Sequence, residues 1–225
     1  MKKQMVLVLM ILMLAGCTNA AQGETPDEDV VLCIEPGEHW TRTMWIAFIP
    51  VKKAPQLAAW VETEEGEYVT TITVTESSSK QKWAGNPEGG RPESLPVWLH
   101  AKTRAAANVD DTTSATPKEG VTAGTDVNGL IEGKRYRILV EVNASYDYNE
   151  TWPKEAKEGD ANYSGVNGQP SLIYETVFIA GESGTVILQT AGQGSVDGSS
   201  GEITRNLDGL TTALTIIKSA ELVLH

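Results

Sequence analysis

Between Val109 and Gly120 the chain reads Asp110-Asp111-Thr112-Thr113-Ser114-Ala115-Thr116-Pro117, a run of hydroxyls and small side chains behind two carboxylates. Hydroxyls in such a run are acceptors for a phosphoester. Asp110, two residues of any type, the hydroxyl of Thr113, a small residue, Ala115 and a second hydroxyl at Thr116 match the pattern on which a transferase places FMN. In that pattern Thr116 is the acceptor, and Asp110, Thr113, Ser114 and Ala115 are its flanking recognition residues. The chemistry needs a backbone that an enzyme can approach and an acceptor kept out of a helix, and Pro117 disfavours helical backbone at Thr116. The pattern is departed from at Ser114, where glycine is common; serine is bulkier and restricts positive φ.

A segment modified in this way must lie where the transferase works, and the N-terminus gives an address. Met1-Lys2-Lys3 precedes eleven apolar residues, Met5 to Ala15, and then Leu14-Ala15-Gly16-Cys17. A short basic region followed by a short apolar run is a signal peptide; a permanent span needs roughly 18 or more apolar residues. The terminal Leu-Ala-Gly-Cys resembles a bacterial lipobox, so residues 1–16 are expected to be removed and Cys17 to carry lipid. The mature protein is then an extracytosolic lipoprotein on the periplasmic or cell-surface face. Residues 17–29 form a polar tether without hydrophobic periodicity, and 30–225 are expected to form a single domain.

Once Lys2 and Lys3 are gone, 16 basic residues face 30 acidic ones, a net charge of −14. Nucleic-acid binding requires a basic footprint and is excluded as a general function. With Cys17 lipidated, Cys33 is left alone, so no internal disulfide and no cysteine metal cluster is expected. In Val30-Val31-Leu32-Cys33-Ile34 the thiol reads as a small buried hydrophobe.

The elements that present the hydroxyl-rich segment are mostly strands. Apolar or alternating runs occur at Val30–Ile34, Met44–Ile49, Gln56–Glu62, Tyr68–Thr75, Tyr136–Asn143, Leu172–Ile179, Thr185–Gln189 and Ala220–Leu224. Period-2 alternation puts Tyr136, Ile138, Val140 and Val142 on one face, and Tyr68, Thr70, Ile72 and Val74 on another. Glu64-Glu65-Gly66 and Gly181-Glu182-Ser183-Gly184 read as hairpin turns. Residues 77–135 are polar and irregular, with a short helix expected after Pro96. Leu207, Leu210, Ala213, Leu214 and Ile217 recur at helical spacing with Asp208 as N-cap. About eight strands, frequent turns and one or two short helices predict a mainly β protein. The expected architecture is an immunoglobulin-like antiparallel β-sandwich with long loops, its first and last strands paired.

Other chemistry is not spelled out. His39, His100 and His225 are far apart and lack zinc-ligand spacing. No nucleophile elbow, metalloprotease helix or phosphate loop is present, and no acid/base pair stands out, so a carrier or binding role is expected rather than an enzyme. Trp60 reads as core. Trp83, Trp98, Trp152, Tyr146 and Tyr148 stand in polar stretches as contacts for an isoalloxazine ring or another ligand. Asp147-Tyr148-Asn149 and Asp197-Gly198 hold oxygen ligands but lack the order of a calcium loop.

Several segments together resemble a bacterial periplasmic family described as domain of unknown function 2271. They are Gln56–Glu62 with Tyr68–Thr71, Val109–Pro117 with Gly120, Tyr136–Asn143 continuing through Ser145–Asn149, Gly165–Tyr174, and Leu210–Leu214. The resemblance implies association with FMN transferases and membrane electron-transfer proteins. It therefore implies a flavin-carrying redox role with covalent FMN, a transferase and a membrane redox protein as partners. The alternative expectation is a cofactor-free cell-surface binding or structural module.

Overall fold

The computed structural model describes residues 29–46, 48–83, 90–105, 113–114, 119–125 and 130–225. Among the described residues, twelve strands make two large sheets and a separate hairpin. The first sheet joins β10 (Gly184–Ile187), β12 (Ile217–Leu224), β1 (Val30–Pro36) and β7 (Val121–Thr125), in that order. The second runs β11 (Gln189–Gln193), β9 (Leu172–Ile179), β8 (Arg135–Asn143), β4 (Gln56–Thr63), β5 (Tyr68–Thr75) and β6 (Thr113–Ser114). All pairings are antiparallel except β5 with β6. The expected β-sandwich is present, and its first and last strands pair from Val30↔Leu224 to Pro36↔Ile217.

The core between the sheets takes the alternating faces as read. Leu57, Ala59 and Val61 of β4 and Tyr136, Ile138, Val140 and Val142 of β8 meet Val30, Leu32 and Ile34 of β1 and Leu222 of β12. Every strand of both large sheets lies between Val30 and Leu224.

The opposite face of the six-stranded sheet is also buried, because α2 (Pro96–Arg104) lies across it. Ala58, Trp60, Leu139 and Ile173 pack there against Leu95, Val97 and Trp98. Pro96 opens the helix, and Lys102 and Arg104 close it with positive charge suited to the C-terminal end of the helix dipole. Leu95 at the N-cap has no side chain to cap with. The cap comes from β8: Glu141 accepts from Val97 N at 3.2 Å, Trp98 N at 2.9 Å and Ser171 Oγ at 2.6 Å. Gly194 leaves room for this cluster, since a Cβ there would stand 2.4 Å from Ser171 Oγ and 2.7 Å from Pro96.

Several expectations are corrected. Met44–Ile49 is not one strand but most of a hairpin, β2 (Arg42–Ile46) with β3 (Ile49–Lys53). Phe48 stands at its turn 93% exposed, with Ile49 67% exposed. The common face of Tyr68, Thr70, Ile72 and Val74 is broken by bulges: Ala59 pairs with Thr73 but Trp60 with Thr71, so Ile72 is an extra residue. Val74 therefore packs under α2 while Ile72 enters the inter-sheet core. Thr185–Gln189 divides between β10 and β11, which belong to different sheets, so Gly181–Gly184 does not close a paired hairpin. The helix expected at 207–217 is only a 3-10 turn at Thr212–Thr215, preceded by the left-handed Gly209. Residues 77–135, read as irregular beyond the helix after Pro96, also hold β6, β7 and most of a short helix, α1 (Glu76–Lys80).

Burial pushes the Glu141 carboxyl up to about 7, against three donors that pull it down. Unfolded, it titrates near the ordinary glutamate value of 4.5. It therefore favours the folded state fully below pH 4.5, and that contribution is lost as pH rises through about 7. The shift corresponds to roughly 3 kcal/mol. Glu141→Gln should destabilise the fold by about 1–3 kcal/mol at pH ~5, because an amide N–H₂ cannot accept from the helix N–H groups. Thermal midpoints followed from pH ~5 to ~8 should converge as the wild type loses its advantage; parallel profiles would contradict the assignment.

Candidate functional site

The second sheet ends, where β4 begins and β5 and β8 finish, in a polar cluster. The Thr75 and Ser78 hydroxyls donate to Gln56 Oε1 at 2.9 and 2.8 Å, and Leu57 N donates to Thr75 Oγ1. Ser94 lies 3.4 Å from Ser78, and its N–H donates to Arg91 O. Asn143 Nδ2 donates to Gln169 O, tying the end of β8 to the loops beyond.

Those loops form a knot. Tyr146 N and Asp147 N donate to Val166 O and Asn167 O at 2.7 and 2.6 Å, and Gln169 N returns to Asp147 O at 2.9 Å. The Asp147 carboxylate, almost fully buried, pairs with Arg42 at 2.6 Å and accepts from Thr212 Oγ1. Gln169 bridges to Thr211 N and Thr212 Oγ1 at 2.6 and 2.7 Å. Gly168 permits the crossing: its φ is +84°, and a Cβ would stand 2.3 Å from the Asp147 backbone.

Arg91 lies between knot and cluster. Its Nη2 donates to Asn167 Oδ1 and, at 3.1 Å, to Ser145 Oγ. Its guanidinium stacks over Trp83, 5.0 Å from the ring centroid. Burial lowers the Arg91 pKa and raises that of Glu93, whose Oε1 stands 3.6 Å from Arg91 Nε. Trp83 Nε1 and Arg91 Nε are buried without hydrogen-bond partners among the described residues, Arg91 Nε keeping its ion pair with Glu93. Tyr146 is 45% exposed on a left-handed backbone of φ 62°. Strain of this kind in a non-glycine residue is concentrated at functional sites.

The hydroxyl-rich segment opens onto the same end. Thr113 and Ser114 form β6, paired in parallel with Val74 and Thr75 on the outermost edge of the six-stranded sheet. The chain next reappears at Glu119 and Gly120, where a Cβ on Gly120 would stand 2.6 Å from Ile34 O, and enters β7 of the other sheet opposite Ile34. Asp110, Ala115 and Thr116 lie outside the described residues, as does Cys17.

The aromatic residues singled out in the sequence separate. Trp60 is core, as expected. Trp98 and Trp152 are core too, Trp98 donating from Nε1 to Thr71 Oγ1 at 3.0 Å, so neither is a ligand contact. Trp83, Tyr146 and Tyr148 remain at the loop end, Tyr148 held by its hydroxyl to Gly165 O. Sequence reasoning missed Arg91, Asn167 and Arg42; their signal was only a charge or amide in a Gly/Pro-rich stretch. Asp147 is engaged by Arg42, and Asn149 and Asp197 accept from nearby backbone N–H groups in local turns. Among the described residues no group of three or more His, Cys, Asp and Glu could hold a metal ion, and no helix is long and apolar enough to cross a membrane.

Cys33 is half-buried on β1, where full burial as a small hydrophobe was expected.

Comparison with protein-family models, with curated proteins and with solved structures finds no match to this chain.

Tyr146→Gly should leave the thermal midpoint unchanged or raise it, since it relieves about 1 kcal/mol of left-handed strain. A clear fall in midpoint would show that the ring is a packing element rather than a presented surface.

Proposed function

We propose that this protein is a lipid-anchored extracytosolic electron carrier bearing FMN on Thr116. The observation that carries the reading is the bracketing of residues 115–118. The strand before them ends, and the strand after them begins, at the loop end of the sandwich. That end also holds Tyr146 and the Trp83–Arg91 stack. The Asp110–Thr116 spacing, and the resemblance to domain of unknown function 2271 of which it is part, also support the reading.

The modification is a phosphoryl transfer performed by a separate FMN transferase. The Thr116 hydroxyl oxygen bonds to the FMN phosphorus of FAD, the phosphoanhydride bond breaks, AMP leaves, and the hydroxyl proton goes to the transferase's base. No electron changes hands in this step. Bound flavin supplies one- and two-electron chemistry, and the chain's own contribution is placement. Tyr146 offers an exposed ring face, and the Trp83–Arg91 stack lies at the same end. A membrane redox protein is the exchange partner, and the protein itself is not an enzyme.

Co-expression with an FMN transferase should give an in-gel fluorescent band that Thr116→Ala abolishes. Fluorescence retained in Thr116→Ala, or absent from a wild type that meets an active transferase, would overturn the assignment. A cofactor-free binding module is the second reading, and the exposed Phe48 and Ile49 of the β2–β3 hairpin favour it; the colourless outcome selects it.

Lipidation has a separate readout. Mass analysis of the detergent-extracted protein should find Cys17 as the N-terminal residue, carrying a diacylglycerol thioether. An N-terminus elsewhere, or a Cys17 without lipid, would contradict lipidation at Cys17.

A further inference from the structure

A second polar concavity lies away from the loop end, on the outer face of the six-stranded sheet beside the C-terminal end of α2. It encloses about 270 Å³. Its floor is apolar: Val97 and Leu139 from the second core, with Ala191 and Ile203 beside them. Its walls are charged. Arg137 spans two carboxylates, donating to Glu175 Oε2 at 2.5 Å and standing 3.7 Å from Glu62 Oε2. Glu62 is held from behind by Trp60 Nε1 at 2.9 Å. Both carboxylates are thus engaged by Arg137, which is itself fixed in orientation.

Arg104 and Arg205 also line the concavity, and neither has an ion-pair partner among the described residues. Three guanidinium groups face two carboxylates, a surplus of one positive charge in a chain whose net charge is −12. A guanidinium fork pairs with a carboxylate through two parallel hydrogen bonds. An apolar floor rewards a ligand with an apolar body, the usual composition of a small-molecule site. We propose that this concavity binds a small organic monocarboxylate, its carboxylate between Arg104 and Arg205 and its apolar body on the half-buried Ala191 and Ile203. The inference does not depend on flavin: its residues are separate from the loop end, and it stands if Thr116 is never modified.

The test uses ¹⁵N-labelled protein from Thr18 onward, which contains every strand of the fold, titrated with sodium benzoate and, separately, with inorganic phosphate. Benzoate should shift the Gly66, Ala191 and Gly201 amides saturably, with half-saturation in the millimolar range or tighter. Arg104→Ala/Arg205→Ala, at exposed positions, should keep the wild-type thermal midpoint and raise half-saturation at least about tenfold. No saturable shift at these amides, or equal benzoate binding by the double variant, would overturn the proposal. Phosphate binding as tightly as benzoate would also overturn it, because the apolar floor would then contribute nothing.

Discussion

The carboxylate of Glu141 is the constraint on which the layered architecture rests. It sits fully buried on the central strand of the six-stranded sheet and serves as the N-cap that α2 lacks in its own sequence. A nine-residue helix is marginal by itself in water. It holds its place through this carboxylate and through Val97 and Trp98, buried beneath it. Burying a carboxylate is costly, and the three donors around Glu141 offset that cost only while helix and sheet stay in register. The helix in turn closes the outer face of the sheet, forms one wall of the charged concavity, and delivers the chain at Arg104 to the stretch that returns as β6.

The sandwich separates its two ends. β1 begins at Val30 beside Leu224, where the tether arrives, and finishes at Pro36 beside Ile217, roughly 20 Å away at the rise of an extended strand. The knot of residues 145–149, 164–169 and 211–212 lies at the Pro36 end, as do the end of β6 and the start of β7. For the proposed carrier, this separation would put the anchored end and the hydroxyl-rich connection at opposite ends of the sandwich. The knot fixes that presenting end through backbone hydrogen bonds and one buried ion pair, Arg42–Asp147, rather than through apolar packing. Such an end keeps its shape while exposing polar surface.

Strands with regular alternation were legible in the sequence because one periodicity decides them. β4, β8 and β9 lie where the pattern places them, β12 begins at Ile217, three residues before the expected Ala220, and β4 with β5 forms the expected hairpin. What escaped depends on contacts distant in sequence. Ile72 is an extra residue only because Trp60 pairs with Thr71 while Ala59 pairs with Thr73. Trp98 lies within a long, largely polar stretch yet is buried, because Thr71 supplies its indole with an acceptor. The β2–β3 turn at Phe48 carries no glycine to announce it, and left-handed Gly209 unwinds what helical spacing promised around Leu210. At the loop end, Ser145–Asn149, Gly165–Ser171 and Leu210–Leu214 stood out as separate landmarks. Their meeting through Gln169, Asp147 and Thr212, with Arg91 reaching Asn167, is a product of the fold and has no local signature.

The central claim is that this fold exists to present one modified hydroxyl, and peptide mass mapping of the protein extracted from its native membrane tests it most directly. Trypsin cleavage after Arg104 and Lys118 releases residues 105–118 as one peptide containing Thr116. The account predicts that this peptide carries the mass of one FMN less one water, with fragment ions placing the addition on Thr116. An unmodified peptide from cells that flavinylate other proteins, or the addition on another hydroxyl, would contradict it.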